Sequence, residues 1–169
     1  DISATGSNNG TSWVNAFTSF DSGITNAIDF DTIRIAEGVY LPDTAGLFDY
    51  RDAHFRLKSK VVVLGGYNSS SGERSWRDYP TILSGNIGLP HNIDNCYTVV
   101  KMFGSFNTTL IEGLFIQDGY SDRHAGGLLL DFNARPKIRN VEISNNHDGA
   151  PFVTLSQKAQ EYFGKPSFH

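Results

Sequence analysis

Along most of the chain, apolar side chains alternate with polar ones over short runs that end in Gly or Asn. Four runs share one pattern: Ile33 to Gly38 (IRIAEG), Val61 to Gly66 (VVVLGG), Leu114 to Gly119 (LFIQDG) and Val141 to Asn146 (VEISNN). Each reads apolar, any, apolar, any, any, then Gly or Asn, and their starts lie 28, 53 and 27 positions apart. The middle gap has room for two repeats, which predicts an additional rung at Thr81 to Asn86 (TILSGN). The last pair matches further: Ile111, Gly113, Leu114, Ile116 and Gly119 correspond to Ile138, Asn140, Val141, Ile143 and Asn146, each displaced by 27.

Alternation places the apolar side chains of each run on one face of a short strand, and Gly or Asn supplies the positive φ at which the chain turns a corner. A strand of this length closes no core alone. Stacking successive units in register, about 4.8 Å apart, buries each inward side chain against its counterpart one unit away. The predicted fold is therefore all-β, a parallel β-helix (β-solenoid) of about five coils. A β-sandwich also has short strands and Gly-rich turns, but its strands recur more closely and without a copied spacing such as 27.

Both ends carry a different period. Trp13, Phe17, Phe20, Ile24 and Ile28 form one apolar stripe at helical spacing, with Ser12 as its N-cap, and predict a capping helix over 12–28 that lids the first rung. Leu155, Ala159, Tyr162 and Phe163 repeat that spacing before Gly164 and Pro166, and read either as a second lid or as a docking segment. The chain thus divides into a β-helical part, 1–146, and a terminal cap or connector, 147–169.

Composition narrows the function classes. With 18 acidic and 14 basic side chains the net charge is -4, and no basic stripe argues for a nucleic-acid partner. No apolar stretch approaches the roughly 18 residues of a membrane span. The single cysteine, Cys96, excludes an internal disulfide and reads as a buried small hydrophobe. Neither an initiator Met nor a basic, apolar leader precedes Asp1, so the chain reads as a mature form or a fragment.

The runs TGSNNGTSWVNAFTSF, DTIRIAEGVY and HFRLKSKVVVLGGYNSSSGERSWRDYPTILSGNIG resemble the opening of secreted parallel β-helix proteins of the pectate-lyase-like superfamily. The likeness is greatest to those of Bacteroidetes-type cell-surface proteins. It covers roughly residues 3 to 146 and rests on Asn9 to Trp13, Asp31-Thr32-Ile33, Gly65-Gly66-Tyr67 and Ile82-Leu83-Ser84-Gly85. It implies a right-handed helix and a secreted setting at the bacterial cell surface. It does not select an activity, since the superfamily holds lyases, hydrolases, adhesins and spacers. Residues 147–169 depart from its pattern.

Sugar chemistry on such a scaffold needs carboxylates or a base gathered on one outer face. The one suggestive cluster is Asp118, Asp122, Arg123 and His124, a weak binding candidate between two rungs; Asp118 and Asp122 alone match an oxygen-rich cation site poorly. Glu73, Arg74, Trp76, Arg77 and Asp78 form a second patch. The resemblance makes it a structural turn in which Arg and Asp pair and Trp76 packs on the coil. Five histidines, His54, His91, His124, His147 and His169, lack metal-ligand spacing, and no Ser has a nucleophile-elbow context. No residue is assigned a catalytic or metal-binding role, and no cofactor is called for. Asn9, Asn68 and Asn107 begin Asn-x-Ser/Thr sequons, and Asp43-Thr44-Ala45 resembles a Bacteroidetes O-glycosylation motif at Thr44.

These readings favour a structural or adhesive module that associates with itself, with other surface proteins or with glycans, and that assembles into filaments. The alternative is a polysaccharide lyase, glycoside hydrolase or carbohydrate-binding module. Ice binding wants a regular Thr array that the rungs lack.

Overall fold

The computed structural model describes residues 1–88, 92–104 and 108–148. Among them the chain is mostly strand, with one α-helix, α1 (Phe20–Asn26). The strands, in chain order, are β1 (Thr32–Ala36), β2 (Gly38–Tyr40), β3 (Phe55–Leu57), β4 (Val62–Tyr67), β5 (Thr81–Ser84) and β6 (Val100–Phe103). They continue with β7 (Leu110–Gln117), β8 (Tyr120–Ser121), β9 (Leu128–Asp131), β10 (Lys137–Ser144) and β11 (His147–Asp148). Every strand pairing among the described residues is parallel. Outside the strand ladders, Tyr67 and Arg74 form one antiparallel bridge.

The largest sheet runs β1-β4-β7-β5-β2, with β10 on the other side of β7. Its path nearly closes on itself, because β1 and β2 are chain neighbours and β7 is long enough to pair with two strands at once. Leu110 to Glu112 lie against Val62 to Leu64 of β4, while Phe115 to Gln117 lie against Ile82 to Ser84 of β5. A second sheet stacks β3-β6-β9, and a third pairs β8 with β11.

Inward side chains line up in columns across these ladders. Ile33, Val63, Ile111 and Ile138 are successive partners, and so are Tyr40, Leu83, Ile116 and Ile143. The second sheet contributes Phe55, Val100 and Leu128, then Leu57, Met102 and Leu130. Most of these side chains are fully buried in one continuous core, each stabilising the fold by about 1.5–3 kcal/mol relative to an exposed position. Between the two halves of the large sheet the backbone turns left-handed at Gly66, Gly113 and Asn140. The 27-residue displacement is realised directly: Ile111, Leu114 and Ile116 pair with Ile138, Val141 and Ile143.

Two expectations are corrected. Thr81 to Asn86 is not a rung of its own, because β5 continues along β7 the course that β4 begins. The large sheet therefore has four courses among the described residues (β1 with β2, β4 with β5, β7, and β10), against about five coils expected. The N-terminal helix is also shorter than the 12–28 stripe predicts. Its N-cap is Ser19, whose hydroxyl accepts from the Ser22 N–H, and Ser12 instead accepts from Asn15. Asparagine side chains and carbonyls fold 6–18 into a loop: Asn8 Oδ1 accepts from Thr18 N–H, Asn15 Oδ1 from Ser7 N–H, and the Asn15 carbonyl from Asn9 and Gly10. Such bonds compete with helix formation. Phe20 and Ile24 are buried, as the stripe requires, but Ile28 is 72% exposed and Ala27 takes its place.

The helical spacing at Leu155 to Phe163 lies outside the described residues. Among the described residues no helix is long and apolar enough to cross a membrane.

Candidate functional site

The corner between β7 and β9 carries the residues singled out from sequence, and the fold separates them. Asp118 takes a left-handed turn, φ 66°, directly after β7. Its carboxylate accepts from the Ser84 hydroxyl at 2.7 Å and from Gln117 Nε2 at 3.2 Å, so it ties β7 to β5. Asp122 lies beyond β8, is exposed, and faces His147 of the next course at 3.7 Å. Arg123 and His124 are exposed on the same turn. That turn is held by Ser121, 2% exposed, whose hydroxyl accepts from the Arg123 and His124 N–H groups. Among the described residues no hydrogen bond or ion pair joins Asp118 to Asp122, Arg123 or His124. The two carboxylates thus serve different neighbours.

The second patch packs on the outer face of the large sheet. Trp76 meets Phe115 with ring centroids 5.6 Å apart, as expected, and Arg77 lies 4.5 Å over the Trp76 ring. Arg74 departs from the expected Arg–Asp pairing. Its Nη1 pairs with Glu112 at 3.0 Å, its Nε donates to the Gly65 carbonyl, and Asp78 accepts instead from Ser75.

The sequon side chains carry bonds of their own. Asn9 Oδ1 accepts from the Thr11 N–H and hydroxyl. Asn68 Oδ1 accepts from Ser70 and Ser71 N–H, and its Nδ2 donates to Glu37 at 3.2 Å. Thr44 is half-buried in a turn where Asp43 Oδ1 accepts from Ala45 N–H. Asn107 lies outside the described residues, as do His91 and His169.

Three features escaped the sequence reading. Arg51 lies 4.1 Å over the Tyr97 ring and 5.8 Å over Tyr120, and Tyr120 stacks on His147 at 4.3 Å. Arg51 also donates to the carbonyls of Asn95 and Tyr120, each at 2.8 Å. This ladder of flat groups crosses the courses, and residues 46, 23 and 27 positions apart give no local signal of it. On the second sheet, burial lowers the Lys101 pKa, and burial together with the nearby cations Lys101 and Arg56 lowers that of His54.

The third feature is a cleft of about 730 Å³ beside the first course. Trp13 and Phe17 form one wall, α1 another through Phe20 and Gly23, and Thr32 to Ile35 the floor. Trp13 rests against Tyr67, with ring centroids 5.6 Å apart. It combines aromatic faces with Arg34 and Asp31, a mixture suited to binding.

No family model matches the chain, and no curated protein or solved structure is significantly similar to it.

Proposed function

We propose that the chain is a segment of a right-handed parallel β-helix, a β-solenoid, that serves as a structural or adhesive module on the outside of a bacterial cell. One observation carries this reading: strands pair only in parallel among the described residues, and β10 and β11 lie on β7 and β8 at a constant displacement of 27. Parallel strands joined by crossovers are right-handed in nearly all proteins, about 98%. A solenoid of this kind lengthens by repetition, and among the described residues β10 pairs only with β7, an arrangement in which a terminal strand can pair further. The surface setting follows from the sequence resemblance, and the sequons and Thr44 make glycans its natural covering.

The test is light scattering with negative-stain microscopy on the purified chain at several concentrations. Ordered filaments that lengthen with concentration support self-association. A strict monomer at every concentration, combined with turnover of polyuronates that Asp122→Asn or Arg123→Gln abolishes, overturns the reading in favour of a carbohydrate-active enzyme.

A further inference from the structure

The cleft beside the first course has an unpaired strand edge for its floor. Val62 N–H donates to the Asp31 carbonyl at 2.9 Å, and Thr32 is the Cα partner of Val62. In a parallel ladder that geometry directs the amide groups of Ile33 toward β4 and those of Thr32 and Arg34 to the opposite edge. Among the described residues, no group bonds the backbone of Thr32 or Arg34 on that side. The edge is therefore a row of donors and acceptors inside a cleft.

The walls restrict what pairs with it. Phe20 and Ile24 of α1 are buried over the core, and Phe20 lies 5.2 Å from Phe55. The helix thus occupies the place a complete further course would take, so a second copy does not stack flush here. A single strand is a smaller occupant, and the cleft of about 730 Å³ between α1, the Trp13–Phe17 segment and the edge is where it would lie; over Ile33 itself the helix is close, since a Cβ at Gly23 would already meet Ile33 Cγ2 at 3.8 Å. Charge selects further. Arg34 is exposed, 5.9 Å from the Tyr67 ring centroid, and among the described residues no carboxylate lies within ion-pair distance of it.

We propose that the β1 edge accepts one extended peptide strand, with a carboxylate side chain opposite Arg34 and aliphatic side chains on either side of it. The spacing follows from the pleat: a residue opposite Arg34 lies on the outer face, and its two neighbours point to the side of Ile33 and Ile35. Main-chain bonds to Thr32 and Arg34 supply affinity, and the ion pair supplies selectivity. This inference holds whether or not the chain forms filaments.

The experiment uses the full 169-residue chain and two blocked peptides, TVEIT and TVKIT. Isotherms and residue-resolved amide exchange are recorded for each at millimolar concentration. TVEIT is expected to bind about tenfold more tightly than TVKIT and to slow exchange at Thr32 and Arg34 while leaving Ile33, already bonded to β4, unchanged. Arg34→Glu, an exposed change, is expected to invert the preference, and its binding of TVKIT shows that the variant is folded. Equal affinity for the two peptides, or no added protection at Thr32 and Arg34, overturns the proposal. So does self-association abolished by Arg34→Glu, which assigns the edge to a second copy, or a change in Trp13 emission with cellohexaose but with neither peptide, which assigns the cleft to sugars.

Discussion

The side chain of Asn146 clasps the turn at Gly119 in the course before it. Its Oδ1 accepts from the Gly119 N–H at 2.8 Å, and its Nδ2 donates to the Ile116 carbonyl at 3.0 Å and to the Ser144 carbonyl at 2.9 Å. An asparagine ladder requires Asn on neighbouring courses; here a single Asn bonds the backbone of its neighbour instead. Asn146→Ala leaves the buried Gly119 N–H without a partner and is expected to cost about 1–3 kcal/mol. Urea unfolding followed by circular dichroism measures it, with an unchanged m-value expected.

Thr81 performs a similar task inside the fold. Fully buried, its hydroxyl accepts from Gly66 N–H at 2.9 Å and lies 3.0 Å from the Ala36 carbonyl, to which it donates. Thr81→Val keeps the shape and takes the acceptor from the Gly66 N–H, while the Ala36 carbonyl keeps the Tyr40 hydroxyl at 3.1 Å. A loss of about 1–3 kcal/mol is expected in the same unfolding measurement, against little change for the exposed Thr11→Val.

Gly65 is set by close approach. A methyl there would overlap the Gly113 carbonyl oxygen and come within 2.7 Å of Leu114 Cδ2. Gly65→Ala is expected to lower stability by about 1–3 kcal/mol or more, whereas Gly72→Ala, where a Cβ meets open space but φ is 74°, loses only about 1 kcal/mol from backbone strain. Thermal melts of the two variants distinguish crowding from conformational strain.

Cys96 is fully buried, and desolvation pushes its thiol up to about 12. Below the unfolded thiol's pKa the native state loses nothing. As pH rises above it, the unfolded thiol ionises first and stability declines until the folded value is reached. The urea midpoint is expected to fall above about pH 9, and Cys96→Ala to flatten that decline. At pH 8 a thiol reagent should label the native protein only at its unfolding rate.

Much of the core is legible in the chain. The shared displacement of Ile111, Leu114 and Ile116 onto Ile138, Val141 and Ile143 predicts the register that pairs β7 with β10. Alternation alone, however, does not tell whether two runs lie one above the other or end to end. That is why Thr81 to Asn86 reads as a separate rung, although residues 68–80 interrupt a single course. The early start assigned to the helix has a different cause: the stripe through Trp13 and Phe17 is apolar at the right spacing, but Asn8 and Asn15 bond the local backbone. The cluster Asp118 to His124 is close in sequence yet crosses a corner, which sends Asp118 to Ser84 and Asp122 to His147. The cleft at β1 and the ladder from Arg51 to His147 join residues far apart in the chain, so only the fold brings them together.

The central claim is that the courses climb in one direction, each in parallel on the last. Scalar couplings across backbone hydrogen bonds test it directly by nuclear magnetic resonance. The account predicts couplings from Val62 N to the Asp31 carbonyl, from Lys137 N to the Thr109 carbonyl and from Val100 N to the Gly127 carbonyl, each linking one course to the next. Reciprocal couplings, in which two opposed residues exchange both of their backbone bonds, mark an antiparallel sandwich and would contradict it.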